Sequence, residues 1–201
     1  MRKKSHISLA RFLLKNMKED DLNEHKKAFY FGSILPDLKP SFFTRRHTIE
    51  DTFDILIKEI KRITVNYDAN KGISRYFARH LGIITHYLAD YCTFPHNSTY
   101  TGTMADHVYY EKEMKFRLKE YVELEDLQSM NIKGYKLYSL EDIIEFIEKT
   151  HSEYLNALRA VKEDIRFIIE LCTKVVQAIL TFFYLSFENL QIGKSLQYSQ
   201  S

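Results

Sequence analysis

His86, Asp90, His96, His107 and Glu111 follow one another as His-x3-Asp-x5-His-x10-His-x3-Glu. On a helix, residues four apart share a face, so His86 with Asp90, and His107 with Glu111, each make a two-ligand clip. One such pair says little, because 8 histidines among 27 acids in 201 residues give about one His-x3-acid match by chance. His47 with Asp51 is a third instance. The connection between the two clips carries more weight. In Phe94-Pro95-His96 the proline ends the preceding helix and lets the next imidazole turn back toward its face. Imidazoles and carboxylates suit zinc, and five of them exceed the four ligands of one tetrahedral ion, so the string implies more than one metal. Upstream, Asp37 follows Gly32-Ser33-Ile34-Leu35-Pro36 and precedes His47 by ten residues, adding a carboxylate and an imidazole near a helix start.

The elements that must hold these groups read as helices throughout. Ser5 caps a first helix over about His6 to Met17, with Ile7, Leu9, Ala10, Leu13 and Leu14 at helical spacing. A second runs from Leu22 to Ser33 and breaks at Pro36, which puts Asp37 on a loop. Thr48-Ile49-Glu50-Asp51 has the form of a capping box opening a helix through about Val65. After a turn at Asn70-Lys71-Gly72, the mostly apolar stretch Ile73 to Cys92 forms a central helix closed by Pro95. A polar surface loop, Asn97 to Thr103, leads to a helix from Met104 to about Tyr121. An irregular stretch to Tyr138 follows. Ser139-Leu140-Glu141-Asp142 is a second capping box, opening one or two long helices to about Leu190, beyond which the end frays.

With its metal pattern on these elements, the chain resembles the zinc-dependent phospholipase C family, whose all-helical fold is shared with P1-type single-strand nucleases. His86, Asp90, His96, His107 and Glu111 match the family's metal-binding pattern in type, order and nearly in spacing. Asp37 and His47 match its upstream Asp and His, Gly32 to Asp37 resembles the segment carrying that Asp, and His6 stands where the family has its first histidine. The resemblance implies a first zinc on His47, His86 and Asp90, with Asp37 as ligand or general base. It implies a second on His96, His107 and Glu111, and a third on His6 and the other oxygen of Asp90. In secreted members the third zinc is completed by the amino group and carbonyl of an N-terminal Trp; this chain has no Trp.

Composition agrees with an all-α, single multi-helical domain of about seven or more helices spanning residues 1–201. Six Gly and three Pro are too few for a barrel or sandwich of many turns, while 14 Tyr and 14 Phe can fill a helical core. A chain this long buries roughly 70% of its unfolded surface, so a metal here is needed for function rather than for holding a core. The formal charge of +2 supplies no bulk field toward nucleic acid or anionic membrane, so no stable nucleic-acid partner is expected. Cys92 and Cys172 read as buried free thiols. The basic start Met1-Arg2-Lys3-Lys4 is followed by His6, Arg11 and Lys15, which interrupt any signal-peptide core, so a cytoplasmic protein is expected. The apolar run Val175 to Phe187 falls short of the roughly 20 residues that span a bilayer and reads as a buried helix.

Other residues read more plainly. His80, six before His86, is rotated off the ligand face toward a core or supporting role. His25 and His151, among charged neighbours, read as solvated. Arg45-Arg46 is either a phosphate-steering pair or ordinary surface; Phe42 and Phe43 read as core rather than acyl-chain contacts; Glu50 and Asp51 either orient His47 or simply serve the helix start. The expected activity is phosphodiester hydrolysis with two or three zinc ions and Asp37 at the attacking water. The resemblance makes a phospholipid, cleaved between glycerol and phosphate during transient membrane-surface contact, the leading substrate. A P1-like nuclease and a non-catalytic binder of a phosphorylated ligand are the alternatives.

Overall fold

The computed structural model describes residues 1–38, 46–124 and 137–198, with side chains through residue 192. Among them are eight α-helices and no strand: α1 (Lys3–Met17), α2 (Asp20–Glu24), α3 (Lys26–Ile34), α4 (Ile49–Ile63), α5 (Arg75–Tyr91), α6 (Met104–Leu124), α7 (Leu140–Leu155) and α8 (Val161–Tyr198). The expected all-α class holds.

Helix α5 is the axis of the core. Leu81, Ile84, Leu88 and Tyr91 are fully buried, and α3, α4 and α8 pack around it. Its start is fixed by Ser74, whose hydroxyl accepts from the Phe77 amide. Two glycines let α3 come unusually close. A Cβ on Gly32 would lie 2.0 Å from the Arg79 carbonyl oxygen, and one on Gly82 would lie 2.3 Å from the Phe29 carbonyl oxygen. Only hydrogen fits at either position.

The two capping sequences behave differently. Ser139 and Asp142 form the full reciprocal box, whereas Thr48 accepts from the Asp51 amide at the start of α4. Several boundaries move. Ser5 lies within α1, which begins at Lys3 after Arg2 and ends at Met17, with Lys18 as its C-cap in the left-handed region, φ 54°. The expected second helix is split at His25, whose φ −103° and ψ 20° leave helical geometry. Asp37 sits in a 3-10 turn, Pro36–Leu38, rather than on an open loop, because the fixed φ of proline suits the first position of a helical turn. Helix α8 continues to Tyr198, past the expected end at Leu190. Most of the irregular stretch before Tyr138, together with Phe42, Phe43 and Arg45, lies outside the described residues.

Cys92 and Cys172 are buried free thiols, as expected, and burial raises the pKa of both. By length and composition alone, Val161–Ile192 could cross a membrane, a longer candidate than the run Val175 to Phe187 suggests; 67% of its most apolar window is buried inside the fold.

Candidate metal centre

Helix α5 presents His86 and Asp90 one turn apart, both fully buried. His47 arrives from the segment just before α4, and Asp37 from the turn after α3. Asp90 Oδ2 lies 3.0 Å from His47 Nδ1 and 3.2 Å from His86 Nε2. The two ring nitrogens are 2.9 Å apart. Asp37 Oδ1 stands further off, 3.7 Å from each of them. One ligand atom from each of Asp37, His47, His86 and Asp90 falls within 4.8 Å of the others. The orientation of His86 is set from behind: its Nδ1 is 2.9 Å from the Ser33 carbonyl. A carbonyl only accepts, so Nδ1 carries a proton and Nε2 is the nitrogen turned to the cluster.

His96, His107 and Glu111 make a second group within the same span, with His107 Nε2 3.6 Å from Glu111 Oε1 on α6. His96 comes from the 3-10 turn Phe94–His96, and two buried braces hold that turn. Asn97 donates to the Tyr91 and Thr93 carbonyls at 3.2 and 3.0 Å, while its Oδ1 takes a hydrogen bond from His151 Nε2 at 2.9 Å. Tyr110 accepts from the Phe94 amide at 3.4 Å and donates to Asp164, which also receives the Tyr154 hydroxyl.

His6, only 1% exposed, stacks on His86 with ring centroids 4.0 Å apart. Its Nε2 is 3.4 Å from Asp90 Oδ1, yet neither ring nitrogen has a hydrogen-bond partner among the described residues. Burial, then the neighbouring His86, lowers its pKa to about 3, so this imidazole is neutral with an unused lone pair. A buried polar group left in that condition is costly. A cation would relieve the cost, and the donor set here, imidazoles and carboxylates with one imidazole oriented by a carbonyl, fits zinc.

The Met1 amino group lies in the same region, 2.6 Å from Asp90 Oδ1, 3.1 Å from His96 Nε2 and 4.0 Å from Glu111 Oε1. Arg2 Nε reaches Glu111 Oε2 at 3.4 Å. Burial by itself would raise the Asp90 pKa, but the Met1 ammonium and the imidazoles of His96, His86 and His6 hold it well below the ordinary range. Burial raises Asp37, and burial with the Met1 ammonium depresses His96.

All eight sequence-selected residues therefore converge on one region: His6, Asp37, His47, His86, Asp90, His96, His107 and Glu111. His80 is buried against Glu59, the core placement of the two alternatives expected for it. Glu50 and Asp51 are exposed on the first turn of α4. Arg46, with His47, His96 and His107, lines a cleft of about 790 Å³. His151 is a correction. It is buried rather than solvated, because it falls four residues after Ile147 and three before Tyr154 on the buried stripe of α7. That periodicity was the signal, masked by charged neighbours. Asn97 is likewise buried, not a surface-loop residue. The Ser33 carbonyl left no trace in the sequence, since any residue type carries one.

Fold and site together define an all-α protein with clustered imidazole and carboxylate ligands. The description "zinc dependent phospholipase C" belongs to a family model that matches residues 5–161, and the chain belongs to that zinc-dependent phospholipase C family. No curated protein and no solved structure matches it.

Proposed function

We propose that the protein is a zinc-dependent phosphodiesterase that cleaves a phospholipid between glycerol and phosphate, within a single domain. The observation that carries this reading is the meeting of two ligand groups, Asp37-His47-His86-Asp90 and His96-His107-Glu111, at a cleft large enough for a headgroup. His47, His86 and Asp90 would hold one ion, and His96, His107 and Glu111 a second. His6 and Asp90 Oδ1 would serve a third, on the side where the Met1 amino group stands. Zinc bound there supplies an activated water and positive charge opposite the phosphoryl oxygens.

The chain's own residues do the rest. Ser33 fixes the His86 tautomer. Asp90 offers its two oxygens to different neighbours, Oδ2 to His47 and His86 and Oδ1 to His6. Asp37, at longer range than Asp90, orients the attacking water and takes its proton on a carboxylate oxygen. Arg46, at the cleft wall, faces the phosphate's charge.

The deciding experiment measures zinc per chain and hydrolysis of phosphatidylcholine in detergent, single-stranded DNA and a soluble chromogenic phosphodiester. Zinc-dependent release of diacylglycerol supports the proposal. Hydrolysis of DNA alone assigns the site to a nuclease, and zinc without turnover on any substrate leaves a binding protein.

A further inference from the structure

A groove between α1 and α6 gathers positive charge that the whole-chain balance conceals. Its walls carry Lys3, Lys4 and Arg11 from α1 and Lys115 and Lys119 from α6, around Ile7 and Phe116, in a volume of about 500 Å³. The formal charge of the entire chain is only +2, so this is a local concentration. Among the described residues, Lys119 pairs with Glu123 at 3.6 Å, and Lys3, Lys4, Arg11 and Lys115 have no carboxylate partner. The acids Glu113 and Glu120 of the same helix are taken up by Arg117.

The apolar part of this face is as unusual as the charge. Phe116 is 57% exposed, and toward the start of α6 Met104 at 77%, Tyr109 at 71% and Val108 at 48% are exposed too. Met104, Val108, Lys115 and Lys119 follow one side of the helix at spacings of 4, 7 and 4 residues. Met104 lines the cleft at the metal centre, while Lys115 and Lys119 line the groove. One stripe, about 22 Å long at 1.5 Å per residue, thus joins the two.

We infer that this α1/α6 face docks on an anionic lipid bilayer. Lysine and arginine stems lie along apolar surface while their charged ends reach phosphates, and Phe116, Val108 and Met104 enter the boundary between headgroups and acyl chains. A nucleic acid would meet the same charge and could stack a base on Phe116 or Tyr109, but it would leave the exposed aliphatic Met104 and Val108 in water, whereas a bilayer covers them. The inference rests on the phospholipase reading for the fate of a docked lipid, and binding is measured apart from turnover.

The test is co-sedimentation of the zinc-loaded full chain with vesicles of phosphatidylcholine alone or mixed with phosphatidylserine. The protein should pellet with the mixed vesicles, stay in solution with phosphatidylcholine alone, and be released by high salt. Lys115→Glu combined with Lys119→Glu should weaken binding at least about 25-fold, taking about fivefold per charge. Phe116→Ser should weaken it about tenfold. Both variants should hydrolyse a soluble chromogenic phosphodiester as the parent does. No binding to the mixed vesicles, or binding indifferent to all three substitutions, overturns the inference, as does retention on an RNA homopolymer without vesicle binding. Vesicle binding without hydrolysis of any substrate would keep the docking face and remove the phospholipase; hydrolysis without vesicle binding would do the reverse.

Discussion

The carbonyl oxygen of Ser33 accepts a hydrogen bond from His86 Nδ1 at 2.9 Å, so an unremarkable backbone atom of α3 decides which nitrogen of a central imidazole is free to bind metal. This requires α3 to lie closer to α5 than ordinary side chains permit. Gly32, next to Ser33, and Gly82, one turn before His86, make the room. Packing of two helices is thereby tied directly to the chemistry of one ring.

Gly82→Ala tests that link. The added methyl would fall 2.3 Å from the Phe29 carbonyl oxygen and 2.8 Å from the Ser33 amide nitrogen, both backbone atoms that cannot rotate away. The helices must separate, at a cost of about 1–3 kcal/mol. For a chain of this size that corresponds to a fall in Tm of roughly 2–12 °C, measured by thermal unfolding of the zinc-free protein. Zinc affinity should fall as well, since Ser33 moves with α3. An unchanged Tm would show that the approach has slack.

Asp164 gives a stability prediction away from the metals. Burial raises its pKa above 3.8 despite the hydroxyls of Tyr110 and Tyr154 and the nearby Arg159. A carboxyl whose folded pKa exceeds its unfolded one favours folding while protonated. That contribution is complete below the unfolded value and is lost as pH rises through the folded one. Asp164→Asn removes the titration, so Tm of the variant minus Tm of the parent should increase from acid toward neutral pH. A difference that is flat with pH would contradict the assignment.

The sequence singled out the candidate ligands that the structure brings together and missed their supports, for a physical reason. Ligand chemistry demands particular side chains at fixed helical offsets, so His86-x3-Asp90 and His107-x3-Glu111 stand out. The Pro95 break foretold that His96 would turn back. Supports use whatever the fold brings near: a carbonyl from Ser33, the amide of Asn97, His151 and Asp164 from helices late in the chain. Their partners are 53 and 54 residues away, beyond any local pattern. Only His151 had a usable signal, its place on the stripe with Ile147 and Tyr154.

The two oxygens of Asp90 predict an inequality between acidic ligands. Oδ2 faces His47 and His86 while Oδ1 faces His6 and the Met1 amino group; Glu111 belongs to the second group alone. Asp90→Asn should therefore disturb more than one ion, and Glu111→Gln only one. Metal analysis of each variant after zinc loading and desalting reads the difference, against a parent holding at least two ions per chain. Equal loss of a single ion in both variants would show that Asp90 does not bridge.

Asp37 separates holding metal from using it. Its Oδ1 is 3.7 Å from both His47 Nδ1 and His86 Nε2, whereas Asp90 Oδ2 approaches them at 3.0 and 3.2 Å, so Asp37 is the member of its group set furthest back from the two imidazoles. It also stands on a turn after Pro36, independent of the helix that fixes His86 and Asp90. Asp37→Asn keeps the shape of the side chain and one accepting oxygen but cannot take a proton. The variant should retain most of its zinc and its unfolding temperature, while turnover of a phosphodiester falls by about 10²–10⁴, the range for removing a general base. Zinc content and rate must be measured on the same preparation, because parallel loss of both would make Asp37 an ordinary ligand. Full zinc with undiminished turnover would take Asp37 out of the chemistry and leave the attacking water without a side-chain base.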